Sequence, residues 1–400
     1  MASTPFVLRA LFKWAAVSSV VVSIVVVPAA HEATAVSGAT TLAEPCAGST
    51  DPTLYPNNHR TVVTPSGRQL ALYDPAGSGL QLSWRDPNGA WSTKSLFTTV
   101  SDEVTTDRPA SIALDGTGNA WVVWSGYNFS AALPLRLRRL TNLDAPQGPT
   151  VGPVVTVAPL GGGNAFADLA FHEGRGFIVW LQHSGDTYSL RTTQFSDLQT
   201  DTPSFENGAT LYTSSSSKTV ATLVPTSAGM HVVARAGALR VWSHDGGAQW
   251  RPGSARVGIP SKSKASAISW QGDILAAFQA SPYDDQVVKV VRFSSNGDSA
   301  TTSLITAKGY VHPSLARNGA HAWVIMVRRS TTSSVVSRRF DGSRWEGDVM
   351  ELAANAVNGG DYSYPNAVRN FQGTLRFIVD AKRCLSSRAK NGVLAYERTL

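Results

Sequence analysis

Short apolar runs alternate with glycine-containing turns along most of the chain, and no stretch after residue 35 has the 3.6-residue apolar period of an amphipathic helix. One unit recurs: a short strand, a glycine turn, an almost continuously apolar second strand, a loop, and a third strand in which apolar and polar residues alternate. Residues 287–293 show this alternation. The first and second strands of the seven copies fall at residues 60–63 and 69–73, 110–114 and 120–124, 167–171 and 177–180, 220–223 and 230–233, 265–268 and 274–278, 313–316 and 322–326, and 366–368 and 375–379.

The spacing of these copies predicts the architecture. Between Gly67 in the first turn and Gly373 in the seventh, six intervals average 51 residues. This is the length of one propeller blade, a four-stranded antiparallel sheet that stacks against its neighbours around a central channel. We therefore predict an all-β, seven-bladed β-propeller whose second strands are buried between adjacent blades. A six-bladed propeller of the sialidase type is the alternative, whereas a β-sandwich would not repeat at this period.

The seventh copy lacks an outer strand, because only a few residues follow its third strand at residues 393–396. A propeller needs closure, since an unpaired strand leaves an exposed sheet edge. We expect the segment between Thr40 and Tyr55 to supply the missing strand. The predicted organisation is an N-terminal closing segment at residues 36–58 and a propeller of seven repeats at residues 59–400.

The N-terminal residues have the pattern of a secretory signal peptide. Arg9 and Lys13 precede an apolar run at residues 14–30, and Ala-Thr-Ala at residues 33–35 offers a small-residue cleavage site. We predict a signal peptide at residues 1–35 and a secreted, extracellular protein. An uncleaved membrane anchor is the alternative, although the apolar run is short and is interrupted by serines and a proline. No other stretch is predicted to span a membrane.

Composition and charge exclude several classes of protein. The chain of 400 residues is 42% hydrophobic and 16% charged, which is too apolar for a disordered protein. Removal of residues 1–35 lowers the net charge from +7 to +6, and the basic residues are scattered along strands. This distribution favours a solvated basic surface over a nucleic-acid site. Two cysteines are too few for a thiolate zinc site or an iron–sulfur cluster, and we predict no metal or cofactor. We also predict a monomer.

The two cysteines are predicted to form a disulfide. Cys46 lies in the closing segment, and Cys384 lies in the loop after the second strand of the seventh copy. Both therefore belong to the last blade, and export would supply an oxidising compartment. Two unpaired thiols are the alternative.

One turn carries a recognisable motif. Residues 243–250 read Ser-His-Asp-Gly-Gly-Ala-Gln-Trp, which gives the pattern Ser-x-Asp-x-Gly-x-x-Trp at Ser243, Asp245, Gly247 and Trp250. The motif resembles the Asp-box, or BNR repeat, of sialidase-like β-propellers. Partial copies stand at the same place in other units, at residues 86–91, 294–297 and 341–345. The resemblance implies a structural hairpin on the face opposite the ligand site, so that Asp245 has no catalytic role.

A sialidase proper would also have three arginines for the sugar carboxylate, a tyrosine nucleophile with a glutamate partner, and an aspartic acid as general acid. The Arg-Ile-Pro signature of this family is absent, because Arg60 is not followed by Ile-Pro. A Tyr–Glu pair could combine Tyr362 or Tyr364 with Glu103. An exo-sialidase or a related glycoside hydrolase is therefore the alternative function.

In a propeller, the loops that lead into the first strands and those that join the second to the third strands share one face, here called the loop face. In this chain that face is rich in basic residues and tyrosines, which suit anionic or neutral glycans because rings stack on sugars and fixed charges hold acidic groups. We predict a secreted glycan-binding module, with a protein-binding scaffold as a further alternative, since turns of any soluble protein collect polar residues. The candidate ligand-binding residues are Arg60, Arg108, Tyr127, Lys264, Tyr283, His312, Tyr362, Tyr364 and Arg383.

Overall fold

A computed structural model describes residues 40–43, 59–73, 80–87, 89–96, 110–125, 134–158, 163–206, 208–215, 219–244, 246, 249–260, 263–280, 286–353, 361–382 and 391–400. The predicted signal peptide, Cys46 and Cys384 lie outside these ranges. Within the described ranges every regular element is a β-strand, and no helix is long and apolar enough to cross a membrane.

The strands follow the predicted repeat. The first is β1 (Thr40–Ala43), and blade one contains β2 (Thr61–Val63), β3 (Gln69–Tyr73), β4 (Gln81–Arg85) and β5 (Ser92–Ser95). Blade two contains β6 (Ser111–Leu114), β7 (Ala120–Ser125), β8 (Leu135–Thr141) and β9 (Thr150–Ala158). Blade three contains β10 (Gly163–His172), β11 (Arg175–Ser184), β12 (Thr187–Ser196), β13 (Ser204–Phe205) and β14 (Ala209–Ser214). Blade four contains β15 (Ala221–Thr226), β16 (Gly229–Ala236), β17 (Ala238–His244) and β18 (Arg251–Pro252).

The remaining blades are built in the same way. Blade five contains β19 (Ala265–Trp270), β20 (Asp273–Gln279), β21 (Val288–Phe293) and β22 (Ala300–Leu304). Blade six contains β23 (Tyr310–Asn318), β24 (His321–Arg329), β25 (Ser333–Phe340) and β26 (Val349–Leu352). Blade seven contains β27 (Asp361–Ala367), β28 (Thr374–Lys382) and β29 (Asn391–Thr399).

These strands form seven antiparallel sheets, and in all but the last the chain runs from the inner to the outer strand. The fold is a seven-bladed β-propeller, as the repeat predicts, and the six-bladed alternative is wrong. The outer strand of blade seven is β1, which pairs with β29 through Thr40 opposite Ala395 and Thr41 opposite Leu394. The edge left by the incomplete seventh repeat is thus covered from the N-terminal side of the chain.

The core is divided among the junctions between blades. Seven apolar clusters each combine residues of two adjacent blades. The second strand supplies both faces: all six residues of β7 are buried, with Trp124 in the cluster toward blade one and Trp121 in the cluster toward blade three. The ring of Trp121 contacts that of Phe195 in blade three with centroids 5.4 Å apart. The almost continuous apolar pattern of the second strands has its physical reason in this double burial.

Candidate functional site

A ring of buried polar side chains surrounds the central channel. One member comes from each inner strand, and each lies opposite an apolar residue of the second strand. In blades two to seven that apolar residue packs toward the next blade, whereas Ala71, opposite Thr61, packs toward blade seven. Every member is at most 3% exposed, so each needs a hydrogen-bond partner inside the protein. This polar ring consists of Thr61, Ser111, Asp168, Thr222, Ser266, Ser314 and Asn366.

The polar ring connects neighbouring blades through hydrogen bonds to backbone groups. The Asn366 Oδ1 atom accepts from the Arg60 N–H of blade one at 3.1 Å, and the Ser111 Oγ atom accepts from the His59 N–H at 3.1 Å. In blades five to seven, the bonds run from the Leu315 N–H to Ser266 at 3.0 Å and from the Ala367 N–H to Ser314 at 3.1 Å. The members of the ring therefore hold adjacent inner strands in register.

Asp168 is the one ionisable member of the ring, and it is completely buried. Its carboxylate accepts hydrogen bonds from the Ser111 hydroxyl at 2.6 Å, the Leu223 N–H at 2.8 Å and the Thr222 hydroxyl at 3.2 Å. Burial raises the pKa of Asp168 to about 7, while these bonds and one from the Leu169 N–H act to lower it.

Two basic side chains reach Asp168 from other blades. The His59 Nδ1 atom of blade one lies 3.2 Å from Asp168 Oδ1 and 3.0 Å from the carbonyl oxygen of Leu169. Arg369, which follows the inner strand of blade seven, places Nη2 at 3.7 Å from Asp168 Oδ2 and donates from Nη1 to the Leu223 carbonyl at 2.7 Å. The cluster of His59, Asp168 and Arg369 thus spans the channel from one side to the other. Within the described ranges, no three His, Cys, Asp or Glu side chains come together as metal ligands.

A cavity of about 270 Å³ adjoins this cluster. Most of its lining residues are the last residues of inner strands, next to the turns that join first and second strands. The cavity therefore lies on the face opposite the loop face, here called the turn face. The lining comprises His59, Thr61, Val62, Val63, Ile112, Ala113, Leu114, Leu169, Ala170, Phe171, Val224, Pro225, Ile268, Ser269, Val368, Arg369 and Asn370.

On the side of the loop face, three inner strands contain a β-bulge at the same position, two residues before the polar ring. The residues at these bulges are Phe166, His312 and Tyr364, and their φ angles of 55°, 53° and 48° lie in the left-handed region. The rings of His312 and Tyr364, from adjacent blades, stack with centroids 4.0 Å apart and an interplanar angle of 24°. Both side chains are half-buried. A backbone conformation that L-residues seldom adopt thus places two stacked rings at this end of the channel.

The structure separates the predicted candidates into groups. His312 and Tyr364 come together in the stack, and Lys264 stands two residues before Ser266 in blade five, where the inner strand has no bulge. Arg60 and Tyr362 are buried, at 1% and 0% exposure. The candidates outside the described residues are Arg108, Tyr127, Tyr283 and Arg383.

The cluster around Asp168 was not among the candidates. A signal for it does exist in the sequence, because a Thr, Ser, Asp or Asn recurs in the first strand of all seven repeats and Asp168 is the only acid among these seven residues. Its contacts with His59 and Arg369 cannot be read from the sequence, since they cross the channel between blades far apart along the chain.

The motif at residues 243–250 lies between the third and the outer strand of blade four. Ser243 and Trp250 are described, whereas Asp245 and Gly247 are not. The ring of Trp250 lies edge-on to Phe177 of blade three, with centroids 6.3 Å apart and an interplanar angle of 90°. This aromatic side chain therefore helps to connect two blades.

The partial copy at residues 341–345 has the hydrogen bonds expected of such a turn. The Asp341 carboxylate accepts from the Ser343 N–H at 2.8 Å and the Arg344 N–H at 2.9 Å. These backbone bonds, that of Arg344 foremost, hold the pKa of Asp341 at about 2. Trp345 stacks on Phe340 with ring centroids 5.0 Å apart. The aspartate and the tryptophan both act within the hairpin.

His231, a buried histidine that contacts the first residue of the motif in blade four, predicts a loss of stability in acid. His231 is 1% exposed and its ring nitrogens lie 2.8 Å from Thr226 Oγ1 and 3.0 Å from Ser243 Oγ. Burial, together with the charge of His172, lowers the pKa of His231 to about 4 from 6.5. Because the unfolded chain binds this proton more readily, stability is expected to fall by up to about 3 kcal/mol as the pH drops from 6.5 to 4.

Urea unfolding of the wild type and His231→Gln at pH 7, 5.5 and 4 measures the contribution of His231 to the loss of stability in acid. The variant is expected to lose less stability in acid than the wild type, whereas His183→Gln, the same change at a half-buried histidine, keeps the wild-type slope. Parallel pH dependences of the wild type and His231→Gln would contradict the assignment.

Comparison with known proteins adds evidence on the fold. Neither a protein-family profile nor any curated protein matches the sequence. Among solved structures, polysaccharide lyase Uly1 is similar with a TM-score of 0.56 and 8% identity, over 86% of this chain and 90% of that one. The endosialidase of phage phi92 has a TM-score of 0.50 and 10% identity, and the match covers 90% of this chain and 69% of the endosialidase chain. Trypanosoma rangeli sialidase in complex with the inhibitor DANA has a TM-score of 0.48 and 11% identity, over 89% of this chain and 60% of its own. At identities of 8% and 10%, the similarity to the lyase and the endosialidase is one of fold alone.

Proposed function

We propose that this chain is an exported glycan-binding β-propeller that holds a saccharide on its loop face. The observation that carries the proposal is the stack of His312 and Tyr364 on left-handed backbone. Both residues precede a proline, Pro313 or Pro365, which normally keeps the preceding residue in extended conformation. A left-handed residue of this kind costs on the order of 1–3 kcal/mol, and such strain is typical of functional positions.

The chemistry of this position suits a sugar. A half-buried aromatic pair offers an apolar ring surface for the C–H face of a pyranose, while the phenol hydroxyl and the imidazole can form hydrogen bonds with its hydroxyls. Lys264, just before the inner strand of the adjacent blade five, would add a positive charge on the same face. We therefore favour a neutral or anionic saccharide as the ligand. Two of the similar folds carry names from carbohydrate chemistry, a polysaccharide lyase and an endosialidase, which agrees with this class of ligand.

A Tyr–Glu contact among the described residues does not suit hydrolysis, while Glu103, the predicted partner of Tyr362 or Tyr364, lies outside them. Tyr396 hydrogen-bonds Glu351 at the junction of blades six and seven, on a third and an outer strand away from the polar ring. Both side chains are buried, at 2% and 0% exposure. Burial and the Glu351 carboxylate raise the pKa of Tyr396, whereas a phenol nucleophile needs access to substrate and an activated, more acidic hydroxyl. This pair is buried away from the channel and the pKa of its tyrosine is raised, so it does not suit the nucleophile of a sialidase.

A glycan array combined with a fluorogenic sialoside assay tests the class of function. We expect the purified mature chain to be retained on a subset of glycans and to release no fluorophore. Turnover of the sialoside would show that the protein is an exo-sialidase and not a binding module. Failure to retain any glycan on a broad array would contradict the proposal.

A further inference from the structure

Arg240 of blade four is a cation without an acidic partner among the described residues. It is half-buried on β17, and the Cζ atom of its guanidinium lies 5.1 Å from the ring centroid of Trp242. It forms no hydrogen bond with a described residue, and of its three guanidinium nitrogens only Nε is closed off from solvent. Nη1 and Nη2 are therefore accessible to a ligand.

A second arginine adds to the positive charge at this position. Arg256, which follows the outer strand of blade four, is exposed and donates from Nη1 to the carbonyl oxygens of Gly253 at 2.7 Å and Ala255 at 3.1 Å. Burial, together with the charge of Arg256, lowers the pKa of Arg240, and no carboxylate of a described residue acts against this effect. Two neighbouring arginines without an acid favour an oxyanion as ligand, because the planar guanidinium matches a carboxylate.

A stacked aromatic pair stands at the loop face of the adjacent blade three. His183 and Tyr188 are opposite each other on β11 and β12, and their rings stack with centroids 4.4 Å apart and an interplanar angle of 27°. Both side chains are half-buried, and both lie beside the hairpin that joins the second to the third strand. Such a pair offers an apolar ring surface to the C–H face of a sugar.

The aromatic pair and Arg240 face each other across the junction of blades three and four. Side chains alternate between the two sides of a strand, so Tyr188 shares a side of β12 with Leu190. On β17, Arg240 shares a side with Trp242. Leu190 and Trp242 belong to one apolar cluster that joins the two blades. Tyr188 and Arg240 both lie near the start of a third strand, at the loop face, and stacked sheets are about 10 Å apart. One sugar ring with an acidic group spans such a distance.

We propose that this junction is a second saccharide site on the loop face, for a sugar that carries a carboxylate group. The sugar ring lies against His183 and Tyr188, and the carboxylate accepts hydrogen bonds from Nη1 and Nη2 of Arg240, with Arg256 as a second positive charge. Asp186, an exposed acid at the tip of the β11–β12 hairpin, repels the carboxylate and so directs it toward blade four. This inference rests on the proposed function for the class of ligand, but its site is separate from the stacked pair at the channel.

Ligand-observed NMR titration of the purified protein with methyl β-D-glucuronoside and methyl β-D-glucoside tests the site, because only the first probe has a carboxylate. We expect the glucuronoside to bind at least about fivefold more tightly. Arg240→Gln is expected to abolish this preference, whereas Arg235→Gln should keep it. Arg235 is half-buried on the same hairpin, but it faces blade five, as does Leu239 opposite it. Equal affinities in the wild type, no binding of either probe, or an undiminished preference in Arg240→Gln would overturn the proposal.

Two more variants and a free anion locate the sugar ring. Tyr188→Leu is expected to weaken binding of both probes, and inorganic sulfate should bind less tightly than the glucuronoside. Unchanged affinities in Tyr188→Leu, or equal affinity for sulfate, would overturn recognition of a sugar here. Tyr364→Ala should keep the preference for the glucuronoside, and its loss in that variant would place the carboxylate at the channel, against this second site but not against the proposed function. Should Arg240→Gln fail to fold, Arg256→Gln serves in its place, since Arg256 is exposed.

Discussion

Replacement of Asp168 by asparagine is expected to lower the free energy of unfolding by about 3–5 kcal/mol, the usual cost of removing one partner from a buried ion pair. The carboxylate is completely buried. It accepts hydrogen bonds from Ser111 and Leu223 and forms an ion pair with Arg369. An amide of the same shape turns an NH₂ group toward some of these donors and leaves the guanidinium of Arg369 without its counter-charge. Urea unfolding at pH 8 measures the loss.

A neutral member of the polar ring provides the matched control. Ser314 accepts one hydrogen bond, from the Ala367 N–H of the next blade, and Ser314→Ala is expected to cost only about 1–2 kcal/mol. If Asp168→Asn lowered the free energy of unfolding no more than Ser314→Ala does, the ion pair of Asp168 with Arg369 would not stabilise the fold.

Reduction of a disulfide between Cys46 and Cys384 is expected to cost about 4–5 kcal/mol on the chain-entropy model, because the bond would close a loop of more than 300 residues. Both cysteines lie outside the described residues, and their pairing stays a prediction. Strain and residual structure in the unfolded chain commonly reduce such a figure.

The ends of the neighbouring strands support this pairing. Ala43, the last residue of β1, pairs with Val393 near the start of β29, and Lys382, the last residue of β28, pairs with Asn391 at that same end. Two strand spacings, on the order of 10 Å, separate the two chain ends. Cys46 follows three residues after the first end and Cys384 two residues after the second.

Thiol titration of the unreduced mature protein, with melting temperatures before and after reduction, tests the bond. We expect no free thiol and a lower melting temperature after reduction. Cys46→Ser with Cys384→Ser should melt like the reduced wild type and should not respond to reductant. Two titratable thiols in the native protein would contradict the pairing.

The repeat made the propeller predictable from the sequence, because each second strand is buried on both faces and so stays apolar through its whole length, as in β7. The missing outer strand of the last repeat likewise predicted a closing strand, since sheet edges need partners. These features are local or recur seven times. Each can be recognised without knowing the position of any other blade.

The candidate sites depend on closure of the ring, and there the sequence says less. His59 meets Asp168 only because blades one and three face the same channel. The left-handed backbone of His312 and Tyr364 runs against the extended conformation that a following proline favours, so no local rule predicts it. Lys264, His312 and Tyr364 were candidates because of residue type, and the structure adds that His312 and Tyr364 hold equivalent positions in adjacent blades.

The most direct test of the proposed function is the affinity of the oligosaccharide that an array selects, measured by calorimetry for the wild type, Tyr364→Ala and Tyr212→Ala. Tyr364 belongs to the stacked pair beside the channel, whereas Tyr212 is a half-buried tyrosine on the outer strand β14 of blade three. Loss of a ring that stacks on the sugar is expected to weaken binding about tenfold in Tyr364→Ala, with no change in Tyr212→Ala. Wild-type affinity in a folded Tyr364→Ala would contradict a saccharide site at this position.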